Sequence, residues 1–354
     1  MRCVLLAAWA LVACAQPRPH TPRVTLNILA LDAKGHPVTD LASAGFRIYD
    51  DGKLQTIASF KPGAAHSQPP TTLIFFDLLN SVSGHREYIS TQIVRALEPL
   101  GTDASVYLYI LTTHGEIYPV HALPPPAGKA QEDESAAATP WTGKAHVLLD
   151  RAIQDVYALP HMDNNDRGLR SAATFYALSQ LGDQLAQLPG PTTIVWITKG
   201  VASVLKYPDG CHETRFGGAW GTYLAGVCNS DCTKFIGGPC LDYTPFLRHF
   251  TTELDRNGAL VYSVEDTVEG RLPPAGLGTS KDTLEQLATL TGGRMYIGGE
   301  VAKAIAESLQ DARARYQLAY DAPPPDGKYH KLRVACSRKG VRIEAQRGYF
   351  ADRQ

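Results

Sequence analysis

The chain has 354 residues and seven cysteines, and its 34 basic and 35 acidic side chains give a formal net charge of −1. A chain of this length is long enough for more than one domain and a sizeable core. The balanced charge, without a lysine- or arginine-rich tract, argues against nucleic acid or an anionic membrane surface as the main partner.

Residues 1–15 have the pattern of an export signal. A short basic start precedes an apolar run at residues 4–12, and residues 13–15 (ACA) resemble a cleavage site. The run is too short to span a membrane as a helix. Residues 11–14 (LVAC) also resemble a lipobox, in which Cys14 would carry a lipid anchor, and plain secretion is the alternative. Both predict a protein in the periplasm, at the outer membrane or outside the cell, where disulfides form.

Hydrophobic patterns divide the remaining chain into a central α/β region and two β segments. Residues 71–313 alternate buried strands with helices, which predicts a doubly wound, mostly parallel sheet. Residues 23–62 and 315–351 contain strand patterns only, and neither segment has enough strands to close a core alone. We therefore expect both ends to pack together as one small β-sandwich. The predicted strands cover residues 24–31, 46–49, 55–60, 71–79, 103–111, 117–123, 192–198, 259–264, 294–297, 316–320, 329–336 and 341–345. The predicted helices cover about 85–98, 144–158, 168–188, 243–256, 281–290 and 300–313.

The stretch TTLIFFDLLNS, residues 71–81, is the most apolar of the central strands. A continuous apolar run fits a strand that is buried on both faces. Asp77 interrupts this run at its carboxyl end, where ligands bind in open α/β sheets. A carboxylate in such surroundings is costly unless another group pairs with it.

Four stretches together resemble the bacterial von Willebrand factor A-related domain proteins. They are VTLNILALDAKGHPVTDLASAGFRIYDDGKLQTIASF, LIFFDLLNS, LATLTGGRMY and YQLAYDAPPPDGKYHKLRVACSRKGVRIEAQRGYF. The resemblance covers nearly all of the chain after the leader except the cysteine-rich insertion at residues 201–241. It implies a von Willebrand A fold, which is Rossmann-like, and a role in adhesion or protein binding.

The resemblance also implies a metal-ion-dependent adhesion site of the form Asp-x-Ser-x-Ser. Such a site holds Mg²⁺ with six oxygens in a near-octahedral shell. Asp77 and Ser81 match two positions of the motif, but Leu79 replaces the first serine and Lys199 stands where a second aspartate is expected. For the threonine of a further loop, Ser171 and Thr174 are both near and neither spacing matches well.

Three interpretations of Asp77 follow from this partial match. Asp77, Ser81 and water would bind Mg²⁺ or Mn²⁺ in the first. In the second, which we prefer, the Lys199 ammonium replaces the ion and pairs with Asp77. In the third, Asp77 only caps the helix that follows its strand. The preferred interpretation needs no cofactor.

Four cysteines lie within thirty residues, and they are Cys211, Cys228, Cys232 and Cys240. In an exported protein they predict two disulfides, whose pairing the sequence leaves open. A zinc site with the same cysteines and His212 is the alternative. Cys336 stands alone in a strand pattern and is predicted to be a buried free thiol.

The function that we predict is a protein–protein or cell-surface interaction module rather than an enzyme. Its face would lie at the carboxyl edge of the sheet and consist of Asp77, Asn80, Ser81, Lys199 and, in the cysteine-rich loop, Trp220 as an aromatic anchor. Two alternatives remain open: a hydrolase-like enzyme that uses Ser81 near His85, and a purely structural envelope lipoprotein.

Overall fold

The computed structural model describes ten ranges of the chain. They are residues 23–63, 70–81, 83–100, 105–123, 141–157, 167–188, 191–206, 240–266, 280–298 and 300–351. Within these ranges no helix is both long and apolar enough to cross a membrane.

The described elements alternate in the middle of the chain and are all strands at its two ends. The strands are β1 (Arg23–Leu31), β2 (Phe46–Asp50), β3 (Lys53–Gln55), β4 (Ile57–Lys61), β5 (Thr71–Asp77), β6 (Val106–Leu111), β7 (Ile117–His121), β8 (Thr192–Thr198), β9 (Val204–Lys206), β10 (Cys240–Asp242), β11 (Leu260–Glu265), β12 (Met295–Tyr296), β13 (Tyr316–Asp321), β14 (Tyr329–Cys336), β15 (Arg342–Glu344) and β16 (Gly348–Phe350). The helices are α1 (Arg86–Leu97), α2 (Ala145–Tyr157), α3 (Arg167–Leu185), α4 (Thr244–Asn257), α5 (Ser280–Thr291) and α6 (Val301–Ala314).

A six-stranded sheet with the order β12-β11-β8-β5-β6-β7 forms the centre of the molecule. Its strands are parallel except β7, which pairs antiparallel with β6 at one edge. Every residue of β5 and of β8 is buried, because helices cover both faces of the sheet. Leu73 and Phe75 pack toward α3 and α4, whereas Ile74 and Phe76 pack toward α1 and α6. The predicted α/β fold class with a mostly parallel sheet is confirmed.

Two four-stranded antiparallel sheets combine strands from both ends of the chain. One has the order β15-β1-β13-β4, and the other has the order β16-β14-β2-β3. Leu26 and Leu318 of the first sheet share a hydrophobic core with Ile48 and Leu332 of the second. The two ends of the chain therefore form a β-sandwich together.

The predicted strand at residues 55–60 is divided in the structure. β3 pairs with β2 in one sheet, whereas β4 pairs with β13 in the other sheet. The chain passes from one sheet to the other at Thr56, and residues 55–60 therefore do not form one continuous strand. The short strand β16 was also not predicted.

The sandwich and the α/β region are in contact through several polar and cationic side chains. The Asn27 side-chain amide of β1 donates to the carbonyl of Gly258, which follows α4. The Arg248 guanidinium lies 4.3 Å from the centre of the Phe350 ring. These contacts join the two parts of the described chain directly.

Candidate functional site

Asp77 lies at the carboxyl end of β5, between the ends of β6 and β8. Its side chain has no exposed surface. The apolar residues that precede it fix this position, because they are buried on both faces of the sheet and carry the carboxylate into the interior. A carboxylate buried to this degree needs hydrogen-bond donors.

Three donors bind the Asp77 carboxylate. The backbone N–H of Asn80 donates to Oδ1 at 2.9 Å, and the Asn80 side-chain amide donates to Oδ2 at 2.8 Å. The Thr198 hydroxyl at the end of β8 donates to Oδ2 at 2.7 Å. Both oxygens are therefore occupied, and the carboxylate joins β8 to the turn that follows β5.

The same turn is tied to helix α3. The Asn80 amide nitrogen lies 2.7 Å from the Thr174 hydroxyl oxygen, and that hydroxyl donates to the carbonyl of Arg170 at 2.8 Å. Of the two candidates for the threonine of the adhesion site, Thr174 is the one that contacts the Asp77 turn. Ser171, the other threonine-loop candidate, is buried in the same helix.

Two arginines hold the carbonyl groups of the turn. The Arg86 guanidinium of α1 donates to the carbonyl of Leu78 at 2.8 Å, and the Arg170 guanidinium donates to the carbonyl of Leu79. Burial raises the pKa of the Asp77 carboxyl group, and the hydrogen bonds from Asn80 and Thr198 and the positive charge of Arg170 partly oppose this rise. A positive charge of α3 therefore acts on Asp77.

The preferred prediction of an ion pair between Asp77 and Lys199 is wrong. Lys199 is exposed, and the contact with Asp77 is made by its neighbour Thr198. Lys199 lies just after the end of β8, and its side chain is on the surface while the Asp77 carboxylate is fully buried. Lys199 remains the exposed cation of the predicted binding face.

The contacts of Asp77 do not offer Mg²⁺ a ready set of ligands. An ion would have to displace Thr198 or Asn80 from the carboxylate, and Leu79 is buried in the hydrophobic core beside α3. Ser81 has a buried hydroxyl with no hydrogen-bond partner among the described residues, and its N–H donates to the Asp77 carbonyl at 3.2 Å. We derive no function from a metal at this place.

Three of the predicted binding residues are buried, which restricts their direct contact with a partner protein. Asp77 has no exposed surface, and Asn80 and Ser81 are each 7% exposed. Their side chains organise the turn between β5 and α1 in this structure. Of the predicted binding residues that the structure describes, Lys199 is the one that faces solvent.

His85 contacts an aspartate that the sequence did not identify. Its Nδ1 lies 3.3 Å from Oδ1 of Asp266, which follows β11, and the Asp266 N–H donates to the Thr198 carbonyl at 2.8 Å. Ser81 does not hydrogen-bond to His85. The hydrolase alternative therefore lacks the contact between nucleophile and base that it requires.

The insertion begins and ends beside the carboxyl edge of the sheet. β9 and β10 pair as an antiparallel ribbon, with Val204 opposite Asp242 and Lys206 opposite Cys240. The Tyr243 N–H closes the base of this ribbon by donating to the Ser203 carbonyl at 2.7 Å. Both ends of the segment at 207–239 are thereby held together, a few residues after β8.

Several predicted residues lie outside the described part of the chain. They are Cys14, Cys211, Trp220, Cys228 and Cys232. The backbone of Cys240 belongs to β10, while its side chain is not described. The two disulfides and the lipid anchor therefore remain predictions. Cys336 is a free thiol, as predicted, although it is half-buried rather than buried.

Comparisons with known proteins return structural neighbours only. No protein-family model matches the sequence, and no curated protein matches it. The chain is similar to a von Willebrand factor type A protein from Catenulispora acidiphila, with 10% identity, a TM-score of 0.32, and coverage of 93% of this chain and 74% of that one. It is also similar to the pilus adhesin SpaC from Lactobacillus rhamnosus GG, with 10% identity, a TM-score of 0.37, and coverage of 95% and 49%.

A third neighbour is the PilB minor pilin from Streptococcus sanguinis. It has 10% identity, a TM-score of 0.35, and coverage of 70% of this chain and 61% of that one. The chain thus spans less than two thirds of the length of the pilin and adhesin chains that it resembles.

Proposed function

We propose that this chain is an exported, von Willebrand A-related protein that binds another protein at the carboxyl edge of its central sheet. The observation that carries the proposal is the β9–β10 ribbon. It holds both ends of the segment at 207–239 against each other, a few residues after the exposed Lys199 along the chain.

The composition of that segment fits a protein-binding role. It contains Phe216, Trp220, Tyr223 and Phe235 together with three of the four clustered cysteines. Aromatic residues supply much of the binding energy at protein interfaces. Crosslinks between the cysteines would reduce the entropy that the segment loses when it binds.

The buried network of Asp77 has a supporting role in this proposal. Asn80, Thr174 and Thr198 satisfy the carboxylate and connect β5, β8 and α3. A rigid edge would hold Lys199 and the β9–β10 ribbon, where the insertion begins and ends, in fixed positions. No reaction is needed for this function, and we propose a binding protein rather than an enzyme.

Site-specific photocrosslinking in the native host tests the proposed face. A photoreactive amino acid would replace Lys199, and a matched variant would carry it at Val147, which is 66% exposed on α2. We expect a discrete crosslinked protein from position 199 and none from position 147. Equal crosslinking at both positions, or none at position 199, would contradict the proposal.

A loop replacement separates the insertion from the rest of the edge. A short glycine-serine linker would replace residues 208–238 and leave β9 and β10 able to pair. We expect the crosslink at position 199 to be lost while thermal unfolding of the variant remains cooperative. If the crosslink persists at the same yield, the insertion is not part of the binding face.

A further inference from the structure

A second polar cluster lies in the β-sandwich, where both ends of the chain meet. This histidine cluster consists of Asp50 at the end of β2, Asp51 in the following turn, Asp326 in the turn before β14, and His330 in β14. Asp50 and His330 are buried, whereas the Asp51 side chain is 50% exposed. The exposed side of Asp51 gives the cluster a route to solvent.

Three atoms of the cluster converge on one point. His330 Nδ1 lies 3.1 Å from Asp50 Oδ1 and 3.4 Å from Asp51 Oδ2, and the three ligand atoms lie within 4.8 Å of one another. Zinc bonds of about 2.0–2.2 Å place neighbouring ligands of a tetrahedral ion about 3.3–3.6 Å apart. The distances from Nδ1 to the two oxygens are close to that separation.

Each of these three side chains is held from its opposite side. Asp50 Oδ2 accepts hydrogen bonds from the hydroxyls of Tyr320 at 2.8 Å and Tyr349 at 3.0 Å. Asp51 Oδ1 accepts the N–H of Lys331 at 2.9 Å. The oxygens that face His330 are therefore not the ones that these donors use.

His330 is held in the same way by Asp326. Its Nε2 lies 3.2 Å from Asp326 Oδ1, and that oxygen also accepts the Lys328 N–H at 2.9 Å. A histidine that binds a metal commonly donates its other ring N–H to a carboxylate, which fixes the ring and leaves the first nitrogen free to bind. Asp326 therefore directs Nδ1 toward Asp50 and Asp51.

We propose that Asp50 Oδ1, Asp51 Oδ2 and His330 Nδ1 bind a zinc ion, with water as the fourth ligand. A mixed nitrogen and oxygen set with four positions suits zinc. The ion would neutralise two carboxylates, one of which is only 2% exposed. It would also join β2, from the start of the chain, to β14, from its end.

Calorimetric titration of zinc chloride into the metal-stripped full chain tests the site. We expect saturable binding of one ion, weakened about tenfold or more by Asp51→Asn. Asparagine keeps an oxygen for the Lys331 N–H and tolerates the left-handed backbone of this residue, whose φ is +46°. Asp40→Asn, which changes an exposed carboxylate in the same sandwich, should leave zinc binding unchanged.

Two further measurements show whether each variant is folded and which side chains bind the metal. The unfolding temperature of each variant without metal shows whether it folds. The absorption spectrum of the cobalt(II) form separates this site from one made by cysteines, because thiolate ligands add an intense charge-transfer band. The proposal is overturned by absence of saturable binding, by equal affinity in Asp51→Asn, or by a cobalt spectrum with thiolate bands.

Discussion

Asp77 is a fully buried carboxylate that accepts hydrogen bonds from the turn after its own strand and from the end of β8. Its position at the end of a buried strand followed from the apolar run around it, and the structure confirms that position. Its partner Thr198 was not predicted, and Thr174, one of the two candidates for the threonine of the adhesion site, contacts Asn80 rather than Asp77. They lie far along the chain, and the sequence gives no direct signal of which polar side chain of a neighbouring strand end points inward. The charge of Lys199 suggested an ion pair with Asp77, but the structure places Lys199 on the surface and Thr198 against the carboxylate.

The structure predicts a large loss of stability for one substitution at this edge and almost no change for another. Asp77→Ala removes the acceptor of three buried donors and should lower the free energy of unfolding by about 3 kcal/mol. Lys199→Ala removes an exposed side chain and should change it by less than about 0.5 kcal/mol. Urea denaturation measures both values. A large loss in Lys199→Ala would restore the ion-pair interpretation.

At the scale of elements, the sequence located the central strands and the helices well and the short strands poorly. β8 has the predicted bounds, because burial on both faces gives a continuous apolar run with clear ends. β3 and β4 were merged, since the break at Thr56 reflects a change of sheet rather than a turn signal. The three residues of β16 are too few to form a pattern.

The strand β12 offers a test at this scale. A Cβ atom at Gly293 would overlap the backbone carbonyl of Val261 in β11, so that Gly293→Ala prevents close approach of the two segments. We expect a loss of about 3 kcal/mol in the free energy of unfolding. Gly84→Ala, where a Cβ meets no atom within 4 Å, serves as the matched control and should remain close to wild type. Similar stability of both variants would show that β12 does not need this contact.

At the scale of the whole molecule, the sequence predicted that both ends would pack together but not how their strands would pair. β13 lies between β1 and β4, and β14 pairs with β2. The number of strand patterns at each end indicated a composite sandwich. The order of the strands depends on side-chain packing between segments almost 300 residues apart, which no local pattern contains.

Removal of the carboxyl-terminal strands should therefore unfold the amino-terminal ones. A chain that ends at residue 314 lacks β13, to which both β1 and β4 hydrogen-bond. We expect residues 23–61 to exchange their amide hydrogens as an unfolded chain does, whereas the intact protein protects them. Hydrogen exchange with mass spectrometry measures this difference. Persistent protection in the shortened chain would mean that β1 and β4 fold without β13.

The strand order also means that β1 must wait for its partner strands while the chain is being synthesised. β1 leaves the ribosome long before β13 is made, and at usual elongation rates the interval is roughly 15–60 s. Throughout that interval the apolar side chains of β1 have no partner strand and are open to chaperones or to aggregation. The last strands are therefore the ones that cover the first, and a chain that ends before β13 would leave β1 exposed.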